Sequence, residues 1–130
     1  MNRSRLGPVA AAFAALGVGV FATIAQADAA GKWRIAFGHR AANDGTITLR
    51  ISPEGGVPVD VETKIPARSG ADKVAKAVRD SLKVSLGEGY HVETDDGEDV
   101  VIGRTGKTPK FELTLASSTL TGLEVNIRRE

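Results

Sequence analysis

The stretch "HVETDDGEDVVI", residues 91–102, sets four acids, Asp95, Asp96, Glu98 and Asp99, within five positions around one glycine. Carboxylates at that density suggest calcium coordination, acid–base catalysis by a pair, or a turn between two strands. A calcium loop places acids at alternate positions, then a glycine and a distant bidentate glutamate. Here Asp95 and Asp96 are adjacent, and the residues after Gly97 alternate like a strand, so that template fails. A catalytic pair needs a cleft that splits two pKa values, which a hairpin tip does not offer. A turn fits. A three-residue loop, Asp95-Asp96-Gly97, pairs Val92 with Val100 and Tyr90 with Ile102, and leaves His91, Glu93, Asp99 and Val101 on the opposite face. A two-residue loop at Asp96-Gly97 gathers a smaller apolar set on one side, so the first register is expected.

Other chemistry-bearing residues are sparse. "GRTGKT", residues 103–108, has the end of a phosphate loop without its first glycine: Val101 stands five residues before Gly106, and "PKF" leads on toward a strand. A cradle of N–H groups at a helix start is therefore not expected. His39 and His91, the two histidines, have no metal-ligand spacing, and the chain has no cysteine to complete a zinc site. Ser117 or Ser118 could join either histidine in a nucleophilic triad, but no Gly-x-Ser-x-Gly elbow is present. Trp33 alternates with Ile35 and Phe37, which assigns it to the core rather than to an exposed stacking platform. No catalytic, cofactor-binding or metal-binding residue is assigned, and no cofactor is expected.

The elements that carry these residues follow from periodicity. Trp33–Phe37 and "TITLRIS" (46–52) alternate on either side of Asn43-Asp44-Gly45, which reads as a hairpin. "VPVDVETKI" (57–65) puts Val57, Val59, Val61, Thr63 and Ile65 on one face, with Pro58 suiting an edge or a strand start. The period then changes. Ala71, Val74, Ala75, Val78, Leu82 and Leu86 recur at three and four, an amphipathic helix with Ser69 as N-cap, Asp72 three residues on, and Gly87 and Gly89 as its stop. Four more alternating runs follow at Tyr90–Thr94, Glu98–Gly103, Phe111–Ala116 and Leu123–Arg128. The expected fold is α+β: about seven strands, in the order β-β-β-α-β-β-β-β, forming a mostly antiparallel sheet packed by one helix and curling toward a sandwich or half-barrel.

Arg3 and Arg5, an apolar run from Leu6 to Ala25, and the small-x-small sites Ala25-Gln26-Ala27 and Ala27-Asp28-Ala29 form the three parts of a secretory signal peptide. A membrane anchor is the rival, since about 20 apolar residues can span a bilayer. Against it stand Pro8, the Ala/Gly-rich composition and the absence of a basic flank after the run. Residues 1–27 are thus expected to be cleaved, after Ala27 or Ala29, leaving one α+β domain over 28–130 that is periplasmic or secreted. The 130-residue chain carries 17 Lys and Arg against 16 Asp and Glu, and removing Arg3 and Arg5 turns a net +1 into −1. Neither nucleic acid nor an anionic membrane surface is implied by that balance, and no membrane insertion is expected after cleavage. Zero cysteines mean no disulfide in a compartment that permits them.

Between Val57 and Ile127 a strand ends in "IPARSGADKVAKAVRDSL", and Gly89-Tyr90 opens strands that close in "STLTGLEVNI". This rhythm resembles modules of phage tail and other surface-assembly proteins, and by analogy implies assembly or binding over catalysis. The expected function is that of an exported, non-enzymatic domain that binds another protein or itself. The alternative is a small envelope hydrolase or carbohydrate-binding domain, which would need a cleft lined by polar groups.

Overall fold

The computed structural model describes residues 29–130. The expected leader lies outside the described residues. Seven strands and one helix follow: β1 (Lys32–His39), β2 (Gly45–Pro53), β3 (Val59–Ile65), α1 (Ala71–Leu86) with a 3-10 turn at Gly87–Gly89, then β4 (Tyr90–Asp95), β5 (Asp99–Arg104), β6 (Phe111–Ser118) and β7 (Leu123–Arg129). They form two antiparallel sheets, β4-β5-β1-β7 and β3-β2-β6. The α+β class and the element order are as the periodicity predicts. The sheet is divided in two, and no barrel closes.

Alternation explains the core. Trp33, Ile35 and Phe37 from β1, Ile47, Leu49 and Ile51 from β2, and Val92, Val100 and Ile102 from β4 and β5 meet in one buried cluster. Ala71, Val74, Ala75, Val78 and Leu82 bring the helix stripe into the same cluster. The helix packs chiefly on β3 and β4, one edge strand from each sheet, and also touches β1 and β5. It closes that side of the two-layer core. The opposite edges, β6 and β7, are not paired with each other.

Five local expectations are corrected. First, β1 and β2 do not form a hairpin; they lie in different sheets. The residues between them are held elsewhere: Ala41 exchanges backbone hydrogen bonds with Arg68 and Ser69, and Asn43 Oδ1 accepts from Thr121 N at 2.8 Å. Asp44 Oδ1 accepts from Ala67 N at 2.7 Å, so the Asn-Asp pair ties three loops together instead of turning one strand on the next. Gly45 is needed there for close approach, because a Cβ would sit 2.5 Å from Thr119 Oγ1.

Second, the helix N-cap is Gly70, with no side-chain cap. Ser69 Oγ turns back and donates to the Pro66 carbonyl at 2.7 Å, which removes it from capping. Third, Val57 precedes β3 and is 80% exposed, and Val59 is 39% exposed, because the apolar face begins only at Val61. Fourth, Leu115 shares a face with Phe111 and Leu113 yet is 41% exposed; it borders the register shift at which Ala116 has no partner on β2. Fifth, the acidic loop is Asp96-Gly97-Glu98. Asp95 pairs with Asp99 and Val92 with Ile102, two positions from the expected register but with the same residues facing inward.

Candidate functional site

The acidic hairpin does more than turn. Asp96 and Gly97 take the left-handed conformation, with φ of 55° and 77°, as a tight loop requires. Asp95 and Asp99 form the closing pair of the ladder, and both carboxylates reach Arg34 on the neighbouring strand β1. Arg34 Nη1 donates to Asp99 at 2.6 Å and Nη2 to Asp95 at 2.8 Å. The same guanidinium holds Glu130 through Nε at 2.9 Å and Nη2 at 2.8 Å. Its side chain is only 12% exposed beneath these three acids. The Glu130 bonds, then those to Asp95 and Asp99, push the Arg34 pKa above its ordinary value, while Arg34 holds the Glu130 carboxyl below the usual range. The arrangement ties β4, β5 and the residue after β7 to the middle of the sheet. Alternation with Trp33, Ile35 and Phe37 turns Arg34 away from the core, and no role follows from that alone. The shared face of Arg34, Asp95 and Asp99 follows from the β1–β5 and β4–β5 pairing, which alternation within each strand does not give.

The remaining sequence candidates are dispersed. His39 Nε2 lies 3.7 Å from Glu124 Oε1, and His91 Nε2 lies 3.3 Å from Glu93 Oε1, all four side chains being well exposed. Ser117 and Ser118 end β6 on the surface, in the other sheet from both histidines. Within Gly103–Thr108, Gly103 and Arg104 end β5, and the residues after them turn and dock on the 3-10 segment. Thr105 Oγ1 donates to the Glu88 carbonyl at 2.7 Å, and a strand follows the turn. Trp33 is buried, with its Nε1–H donating to the Phe111 carbonyl at 2.8 Å. Among the described residues, no group of three or more His, Asp or Glu is placed to hold a metal ion.

Surface clefts among the described residues lie at Asp44 and Pro66, between β3 and α1 near Glu62 and Val84, and on the β6–β7 side. A cleft of about 400 Å³ runs between these strands, with Trp33, Leu113 and Leu115 on its lining together with Ile127 and Arg129. Leu123, Val125 and Ile127 are half-buried, packed on the core from the edge. The phase of the β7 ladder shows which backbone groups are unpaired. Glu130 N donates to the Lys32 carbonyl at 3.0 Å, and the β1–β7 register continues through Arg34↔Arg128, Ala36↔Asn126 and Gly38↔Glu124. Antiparallel ladders alternate, so Arg128, Asn126 and Glu124 also turn their backbone groups toward β1. Leu123, Val125, Ile127 and Arg129 turn theirs to the open edge.

Neither a family model nor a curated protein matches the chain.

Proposed function

We propose that the chain is an exported binding module that takes up an extended polypeptide strand at the β6–β7 opening. One observation carries this: the helix packs on β3 and β4, while β6 and β7 border a cleft that mixes Leu113, Leu115 and Ile127 with Glu112, Thr114, Arg128 and Arg129, beside β7 backbone groups that do not face β1. Strand addition supplies main-chain hydrogen bonds for affinity and alternate side-chain contacts for specificity. Edges are commonly guarded by proline or charge. Pro58 precedes the β3 edge, and the β4 edge runs beside α1 with His91, Glu93 and Asp95 outward. The β7 edge has no proline; it carries Glu124, Arg128 and Arg129 on exposed positions and turns Leu123, Val125 and Ile127 to the core side. Export is supported by the Arg3/Arg5 start, the apolar run and the Ala-x-Ala exit.

The test is recovery of partners from an envelope fraction with residues 28–130 as bait, comparing the native domain with Val125→Pro. Proline at 125 removes an N–H that faces the open edge and leaves the ladder with β1 intact. The native domain should retain a protein that Val125→Pro loses, with both remaining folded by circular dichroism. Equal recovery by the two proteins, or none by either, would refute strand addition at this edge.

A further inference from the structure

We infer that the strand received at β7 is β7 of a second copy, paired antiparallel across a two-fold axis at Asn126. This rests on the strand-addition reading above and names its occupant. The sequence of β7, Leu123-Glu124-Val125-Asn126-Ile127-Arg128-Arg129, is self-complementary in that register. Glu124 of each copy opposes Arg128 of the other, Val125 opposes Ile127, and Asn126 meets itself.

The hydrogen-bond phase agrees. Val125 and Ile127 both direct their backbone groups to the open edge, so opposing them across the axis creates hydrogen-bonded pairs. Asn126 then falls at a non-hydrogen-bonded position, where opposing Cα atoms approach to about 4.5 Å. Side-chain faces agree as well, because an even register keeps Val125 and Ile127 on the core face and Glu124 and Arg128 on the outer face of a continuous eight-stranded sheet. Moving the axis to Val125 opposes Glu124 with Asn126, and moving it to Ile127 opposes Arg128 with Asn126; both lose the two ion pairs. On the core side, the partner's Val125 and Ile127 arrive beside the opening where Leu115 is 41% exposed, which supplies cover for that side chain. The β6 edge is a poorer candidate. Its first residue, Phe111, already exchanges hydrogen bonds with Ala30 at 2.8 and 2.9 Å.

The absence of native cysteine makes the register directly testable. Asn126→Cys places two thiols across the axis within the reach of a disulfide, whereas Glu124→Cys separates its own copies by about 14 Å along the strand. Under mild oxidation of residues 28–130, Asn126→Cys should give a disulfide-linked dimer and Glu124→Cys should stay monomeric. Charge provides an independent arm, read by sedimentation of cysteine-free protein. Glu124→Arg and Arg128→Glu should each weaken dimerisation by about tenfold, since two symmetry-related attractions become repulsions. The double swap should restore it. Equal cross-linking of both cysteine variants, or a native domain that sediments as a monomer at every concentration, would overturn self-pairing. If that monomer still captures a partner that Val125→Pro loses, the second copy is refuted and strand addition stands. If Val125→Pro also keeps the partner, both fail.

Discussion

Arg34 is where charge is concentrated in this molecule, with three carboxylates within 2.9 Å of one guanidinium that is largely shielded by them. Removing the cation leaves Asp95, Asp99 and Glu130 facing one another without compensation, so Arg34→Ala should lower the melting temperature at neutral pH. Arg34→Lys should recover only part of the loss, because an ammonium cannot hold three acids with a planar fork. Glu130 gives the pH dependence. Its carboxyl is depressed in the folded state, chiefly by hydrogen bonds from Arg34, so the unfolded chain binds its proton more readily. The contribution is fully present above the ordinary carboxylate range near about 4 and is lost as pH falls through the lowered value. The difference in melting temperature between the native protein and Glu130→Gln should therefore be present at neutral pH and close in acid. A difference that grows in acid would contradict the assignment. Single-sequence reasoning explained Asp95 and Asp99 by backbone needs alone. Their partner is a non-local cation, visible only once β1 is known to lie beside β5.

At the level of elements, the helix holds the fold's closed side. Val74, Val78 and Leu82 are fully buried, while Lys76 faces outward. Leu82→Ala should cost about 2–5 kcal/mol, the usual range for a buried leucine, and Lys76→Ala less than about 0.5 kcal/mol. A denaturant titration in which the two behave alike would show that α1 covers no core. All seven strands and the helix could be read from periodicity, with starts and ends within about two residues, because each buries a single face and that pattern is local. Pairing is not local. Asn43-Asp44-Gly45 has the composition of a hairpin turn, but its side chains are spent on Thr121 and Ala67. Ser69 likewise has the right type to accept a helix N–H, but its hydroxyl turns back to donate to the Pro66 carbonyl. Such competition between partners is set by tertiary structure, and turn composition alone does not resolve it.

Among the described residues the sheets end asymmetrically: α1 packs on β3 and β4, while β6 and β7 border a cleft and are not paired with each other. The proposed binding at a strand edge is not legible in the sequence, which places no edge. Which edge it is depends on the packing of α1 and on the ladder phase. The decisive measurement is residue-resolved amide hydrogen exchange of residues 28–130 at high concentration and after dilution. Asn126 and Arg128, bonded to β1, should be protected under both conditions. Leu123, Val125, Ile127 and Arg129 should be protected only at high concentration and exchange rapidly once diluted. Rapid exchange of those four amides at every concentration would contradict the account.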